Sequence, residues 1–287
     1  MEKGRLLITG AGGYVGTALV GALEKRDCSN ILCADRSSFN YQSVDSIRDY
    51  FAGKEIRTVI HLAAVCESQD PGAYYLMNIC GLRNLLNACL EYRVQQFIFI
   101  SGNNVYCADS MEAHTEEEPC RPDEQNLYGI SKYMGELLIQ DILQESDMRY
   151  CILRISDIYG PGQRYGNLMK AMIQRAGSGE VLQVYGQGQR IRDYIDIQDV
   201  VDGIMFSWEH DLSGIYNLST GIGTSVRELA GLVDRICGGR NGIELLPCEN
   251  EDKSCVILSP EKLLREGFRV KYSLEQGIRE MLGRVSE

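Results

Sequence analysis

Histidine is scarce: His61, His114 and His210 are the only three in 287 residues. With so few imidazoles, and cysteines spread through the whole chain, no zinc-like ligand set can be assembled, and no metal is expected. None of the eleven cysteines stands in a CxxC pair. In a chain this long they read as reduced, mostly buried thiols and not as a disulfide framework. A cluster of Lys and Arg is also missing, and 29 basic against 40 acidic residues give a formal charge of −11. Nucleic acid is therefore not an expected partner, since a polyanion needs a basic face. Any anionic ligand must be held locally, by aimed backbone amides and single arginines. No apolar run approaches bilayer-spanning length, and no basic leader with a cleavage site precedes Arg5-Leu-Leu-Ile-Thr9, so no membrane partner is expected and the cytoplasm is the expected location. Internal repeats and low-complexity linkers are absent too, which predicts packed lobes and not tethered ones.

What is present is an alternation. Short apolar runs at Leu6–Thr9, Ile31–Ala34, Thr58–Leu62, Gln96–Ser101 and Tyr150–Ile155 are separated by amphipathic stretches, the pattern of βαβ units and a parallel sheet. Leu76, Ile79, Leu82, Leu85, Leu86 and Cys89 recur at helical spacing and predict a helix over Ala73–Tyr92. A second long helix is expected from Asn126 to about Gln144. Beyond residue 156, Gly-rich turns at 160–162, 177–179 and 186–188 interrupt the pattern and suggest a smaller α/β lobe.

The first run opens into Gly10-Ala-Gly-Gly13-Tyr14-Val15-Gly16, followed by a helix with Leu19, Val20 and Leu23 on its apolar side. Glycines between a strand and a helix let backbone approach a pyrophosphate, and the helix N-terminus supplies amides and partial positive charge. Asp35 closes the second run, 19 residues past Gly16, where a carboxylate can bond the adenosine ribose hydroxyls and would repel a 2′-phosphate. NAD is thus favoured over NADP, with Arg36 as the one neighbour able to accommodate a phosphate. The expected fold is a Rossmann-type doubly wound parallel sheet with a smaller C-terminal α/β substrate lobe. The dinucleotide-binding domain is expected over 1–155, rejoined by about 193–213, and the substrate lobe over 156–192 and 214–287. Leu62, Ala63 and Ala64 leave the third strand as small and apolar residues beside the dinucleotide, and His61, inside that apolar run, reads as a satisfied core histidine.

Tyr128 and Lys132 are four residues apart at the start of the second long helix, so phenol and ammonium share one face. A tyrosine near its reference pKa of about 10 is a weak base at neutral pH, but a neighbouring cation stabilises the phenolate. Such a phenolate can take a proton from a sugar hydroxyl while hydride leaves for a nicotinamide. Ser101, at the end of the strand that precedes this helix, is placed to share that proton.

Taken together, ITGAGGYVG (8–16), VIHLAA (59–64), FIFISGNNVY (97–106), LYGISK (127–132), LRISDIYGPGQ (153–163) and VYGQGQRIRDYIDIQDV (184–200) resemble the extended short-chain dehydrogenases/reductases. More narrowly they resemble the NAD-dependent epimerase/dehydratase branch of the UDP-glucose 4-epimerase type. The resemblance implies that Tyr128 is the acid/base and Lys132 its activator and ribose anchor, and that Asn78 ties the long helix to the neighbouring catalytic strand at the cofactor site. It implies further that Arg192 holds a ligand diphosphate, that Asn167 and Leu168 face the nucleotide base, and that Gln163 lies on the approach to it. The pattern is broken at four places. Gly102 stands where most members carry a hydroxyl, which leaves Ser101 as the expected donor and Asn103 as an orienting amide. Asn103 and Asn104 replace the Asp-Glu of dehydratases, and an amide cannot do their acid/base work. Asp157 replaces an asparagine near the phosphates. Carboxylates at 249–252 stand where an arginine is usual. The implied function is a nucleotide-sugar 4-epimerase, with a UDP-sugar as the expected substrate, NAD as cofactor and a homodimer built on the two long helices. A nucleotide-sugar 4-ketoreductase or dehydrogenase is the alternative, and a non-catalytic cofactor-binding regulatory protein a lesser one.

Overall fold

The computed structural model describes residues 4–123, 126–163 and 168–285. The chain begins β1 (Arg5–Thr9), α1 (Tyr14–Glu24), β2 (Ile31–Ala34), α2 (Val44–Phe51) and β3 (Ile56–His61). It continues through α3 (Pro71–Tyr74), a π-helical segment (Tyr75–Gly81), α4 (Leu82–Glu91) and β4 (Gln96–Gly102). A 3₁₀ turn (Asn103–Val105) then leads to α5 (Leu127–Leu143) and β5 (Arg149–Ile155). Next come β6 (Asp157–Tyr159), α6 (Leu168–Gly177), β7 (Leu182–Tyr185), β8 (Ile191–Asp196), α7 (Ile197–Glu209) and β9 (Gly214–Leu218). The last elements are β10 (Gly223–Ser225), α8 (Val226–Ile236), β11 (Ile243–Leu246), β12 (Cys255–Val256), α9 (Glu261–Arg265) and α10 (Leu274–Val285).

The chain divides into two compact units. The first comprises 1–107, 116–155 and 201–216. Its six-stranded sheet has the order β2-β1-β3-β4-β5-β9, and the pairs from β2 through β5 run parallel. Strands of a parallel sheet are covered on both faces, which is why β1 and β4 read as near-continuous apolar runs. Phe97 and Phe99 face α4 and α5 in a core with Leu7, Val59, Leu82, Leu85, Leu86 and Ile139. Burying side chains of this size stabilises by about 1.5–3 kcal/mol each. The strand order reverses between β1 and β3, so the Gly10–Gly16 turn after β1 lies at the topological switch point where such sheets bind ligands.

The long helix expected over Ala73–Tyr92 is instead two α-helical pieces joined by the π segment. Leu82, Leu85, Leu86 and Cys89 are buried as the apolar spacing requires, but Leu76 is 42% exposed. Asp70 caps α3 by accepting from the Gly72 N–H at 2.9 Å. The wider turns that follow set Asn78 in a tight set of side-chain bonds described below.

The second unit comprises 108–115, 156–200 and 217–287. In it β8 is the central strand, antiparallel to β10 and parallel to β12 and β6. This pairing keeps 191–196 in the second unit, and the return to the first, expected from about 193, starts at Val201 in α7. A parallel β7–β11 pair and helices α6, α8 and α10 enclose a separate core of Met169, Met172, Ile173, Val184, Leu229, Val233 and Ile278. Helix α8 is held open at its start by a reciprocal cap, with Ser225 accepting from the Glu228 N–H and the Glu228 carboxylate accepting from the Ser225 N–H.

Candidate active site

In the first unit the Gly-rich turn is forced by contact. Gly10 adopts φ +72°, and a Cβ there would come within 2.7 Å of the Ala63 nitrogen. A Cβ on Gly16 would come within 2.3 Å of the Gly10 carbonyl oxygen. Glycine at both positions therefore lets α1 start directly against the β1 turn and brings the half-buried Leu62, Ala63 and Ala64 close to it. Gly12, by contrast, has open space where a side chain would stand. Helix α1 begins at Tyr14 after Gly13 with no side-chain cap and no acidic residue in its first turn, so Tyr14, Val15 and Gly16 form an N-terminus built to receive an anion. A groove running from there is lined by Ala11, Gly12, Thr17, Cys33 and Asp35. Asp35 is exposed, and its Oδ1 accepts from the N–H and hydroxyl of Ser37, bonds that hold its carboxyl below the usual range. Arg36 beside it is exposed. The residues present fit a dinucleotide with an unphosphorylated ribose: open glycine, uncapped helix start, ionised carboxylate.

Tyr128 and Lys132 open α5, which is capped by the Asn126 carboxamide accepting from the Gly129 N–H at 3.0 Å. Lys132 is buried, and its Nζ lies 4.2 Å from the Phe99 ring centre and 6.0 Å from that of Tyr128. Burial pulls the ammonium down to about 8, against the opposing pull of Cys66 and Glu136. The Tyr128 phenol moves the other way from the sequence expectation. Burial raises its pKa, and the adjacent Cys66 thiol raises it further by charge and hydrogen bonding. Among the chain's own groups burial is thus the largest influence on the phenol, and it works against the phenolate. The nearness of Cys66 carries no sequence signal, because it comes from the loop after β3.

Ser101 does not occupy the role expected of it. It is 3% exposed and donates its proton to Glu136 Oε1 at 2.5 Å. The same carboxylate is gripped by Arg154, whose Nη2 lies 2.7 Å from Oε2, and Arg154 Nη1 donates to the Tyr106 hydroxyl at 2.8 Å. All four side chains are buried. Breaking such a pair by removing one partner costs about 3–5 kcal/mol, because a buried charge is left alone. Strand alternation explains the discrepancy: Ser101 points to the same face as Phe97 and Phe99, under α5.

Asn78, assigned to the cofactor set, uses its carboxamide internally. Its Oδ1 accepts from the Val65 N–H at 2.7 Å, and its Nδ2 donates to the Val65 carbonyl and to Ser131 Oγ, both at 2.9 Å. Ser131 in turn donates to the Tyr128 carbonyl at 2.8 Å. Asn78 thus fixes the loop after β3 and the first turn of α5, and acts as a positioning residue. His61 is a core residue: 1% exposed, bonded to Thr9 Oγ1 at 2.8 Å, stacked on Phe99, and pushed down to about 3 by burial and Lys132. Asn103 is buried, at 7% exposure.

In the second unit Arg192 is paired. Its Nη1 donates to the Ser254 carbonyl at 3.0 Å, its Nη2 to Ser254 Oγ at 2.8 Å, and its Nε lies 3.8 Å from Asp157 Oδ2. Asp193 points to the other face of β8, where it accepts from Thr220 and the Gly221 N–H. The acidic stretch at 249–252 has a structural use: Glu251 Oε1 accepts from the Gln187 and Gln189 N–H groups at 2.9 and 2.8 Å and closes the turn between β7 and β8. Gln163 carries the Lys170 ammonium on its carbonyl at 2.9 Å, and Leu168 opens α6 half-buried. Asn167 lies outside the described residues.

The chain is 28% identical to UDP-glucose 4-epimerase 3 of Oryza sativa subsp. japonica, over 96% of this chain and 88% of the relative. It is 23% identical to a GDP-L-fucose synthase of Sinorhizobium fredii, over 97% of this chain and 94% of the relative. The structure superposes on the UDP-glucose 4-epimerase of Thermus thermophilus, solved in complex with NAD, with a TM-score of 0.86 at 26% identity, over 98% of this chain and 99% of that one. The family model for NAD-dependent epimerases and dehydratases matches residues 6–219, and the chain belongs to that family.

Proposed function

We propose that the protein is a nucleotide-sugar 4-epimerase that works with tightly held NAD on a UDP-sugar. The observation that carries the reading is the Tyr128/Lys132 pair, set on the first turn of α5 in the same unit as an open, uncapped and acid-free helix start. Gly10, Gly13, Tyr14, Val15 and Gly16 would hold the pyrophosphate, Asp35 and Arg36 would flank the adenosine ribose, and Leu62, Ala63 and Ala64 would line the wall beside it. Bound NAD would supply a reversible hydride acceptor and a positive charge near the phenol. With the phenolate favoured by that charge and by Lys132, Tyr128 would take the sugar hydroxyl proton in one direction and return it as the phenol in the other. Lys132, buried with its charge over the Phe99 face, holds the phenol's electrostatic surroundings and has donors for a ribose hydroxyl. Amides at 103 and 104 cannot run the acid-catalysed loss of water that a dehydratase requires, which supports the epimerase over that branch. In the second unit Arg192 and Leu168 are assigned to the substrate's diphosphate and base, with Gln163 near them and Asp157 tuning the arginine. UDP is preferred as the nucleotide because the Thermotoga maritima relative at 26% identity is a UDP-glucose 4-epimerase solved with UDP-glucose.

A homodimer accompanies this reading. Met134 and Leu137 are 41% and 47% exposed on one face of α5, and Tyr75 and Leu76 are exposed on the neighbouring π segment, apolar area that a second copy would cover. Cytoplasmic location is supported by eleven free thiols with no disulfide among the described residues. The deciding experiment incubates purified protein with a panel of UDP-, GDP- and dTDP-sugars. Isomer formation without added NAD(H) is the expected result. Stoichiometric consumption of NADH or NADPH would establish the ketoreductase instead.

A further inference from the structure

Three side chains at the end of β4 and in the turn after it are candidates to contact the hydroxyl being oxidised, and two are less suited. Ser101 has committed its only proton to Glu136. Asn103 is the more deeply buried of the two asparagines and already has an interaction of its own. Position 102 offers nothing, being glycine. Asn104 is different. It is half-buried in the 3₁₀ turn after β4, and a Cβ built on Gly102 would find the Asn104 Oδ1 as its nearest neighbour, at 3.4 Å. The carboxamide of Asn104 therefore lies at the space a side chain on residue 102 would enter. The same residue is pressed against the turn that carries Tyr128. A Cβ on Gly129 would come within 2.4 Å of the Asn104 carbonyl oxygen and 3.0 Å of its Cβ, so glycine directly after Tyr128 is what permits the approach.

From this geometry we infer that Asn104 is the substrate-contacting partner of Tyr128: a half-turn of its carboxamide exchanges Oδ1 for Nδ2 at that space, and the N–H then donates to the sugar oxygen at the carbon being oxidised. The inference rests on the epimerase reading. A carboxamide neither gains nor loses a proton near neutrality, so the proton passes only between the sugar oxygen and Tyr128, while Asn104 orients that oxygen and stabilises the carbonyl formed from it. The usual division between a hydroxyl and a phenol is replaced by one between an amide and a phenol.

The test compares wild type, Asn104→Ala, Asn104→Asp and the double variant Gly102→Ser/Asn104→Ala on whichever nucleotide sugar the wild type interconverts. Retained NAD and melting temperature establish that each variant is folded. Both single variants should lose roughly 10²-fold in kcat, as for removal of a preorganised donor to a developing oxyanion, with KM little changed; aspartate keeps the shape and lacks the N–H. The double variant, which returns a hydroxyl to position 102, should recover much of the rate. Ser101→Ala should melt at lower temperature yet retain its turnover per folded molecule. If a folded Asn104→Ala and Asn104→Asp turn over at the wild-type rate, or if Ser101→Ala loses as much as they do, the assignment is overturned while the epimerase reading stands. A wild type that interconverts no sugar of the panel overturns both.

Discussion

Tyr128 sits among groups that keep its proton on. Burial and the Cys66 thiol raise the phenol, and the lysine four residues on is itself pulled down to about 8 by the same burial. Replacing Tyr128 by Phe should lower kcat by roughly 10²–10⁴, the range for loss of a positioned acid/base, while NAD stays bound; an unchanged turnover number by a nucleotide-sugar isomer assay would remove the phenol from the mechanism. The spacing of Tyr128 and Lys132 is readable from sequence because i and i+4 on a helix share a face whatever the tertiary context. Ser101 is misleading for the opposite reason. A hydroxyl at a strand end can point to either side, and its partner Glu136 lies 35 residues away on another element. Asn104 gives no separate signal, since only the packed turn against Gly129 distinguishes it from Asn103.

Elements differ in how plainly they are written. The five apolar runs form β1 to β5 nearly at their expected ends, because a strand buried on both faces reads as an unbroken apolar stretch. Strand β9 is not legible, being short and following a helix that returns from the other unit. The π segment is hidden as well, because apolar spacing of three and four survives a local widening of the turns. The junction of β8 and α7 carries a consequence for stability. Asp196 is 2% exposed; its Oδ1 accepts from the Gln198 N–H at 2.8 Å, and its Oδ2 has no hydrogen-bond partner among the described residues. Burial pushes this carboxyl up to about 6, with Asp199 and Glu280 adding to the effect and the Gln198 bond opposing it. The folded chain therefore binds this proton more tightly than the unfolded one, whose carboxyl titrates near 3.8. The group favours the folded state at low pH, and that advantage is lost as pH rises through about 6. Asp196→Asn keeps the Oδ1 acceptor and removes the charge, so its melting temperature should gain on wild type as pH rises from about 4 to about 6. A constant difference across that range, followed by circular dichroism, would contradict the assignment.

At the scale of the molecule, composition excludes classes of partner, and motif order points to the family. Neither can place the segment at 108–115, which belongs to the second unit because the Cys255 N–H donates to the Ala108 carbonyl and the His114 N–H to that of Ile257. Self-association is open to direct measurement. Leu137→Glu puts a charge on the exposed apolar face of α5 without touching the core, and should convert a dimer into a monomer in sedimentation experiments; a wild-type protein that sediments as a monomer would remove the dimer from the proposal. A final consequence follows from the buried Glu136–Arg154 pair with Ser101 and Tyr106. This bolt fastens the middle of α5 to β4 and β5, one turn beyond Lys132. The turn at 103–105 packs on the first turn of that same helix, so an exchange of side chains there bears on the start of the helix while its far side stays anchored in register.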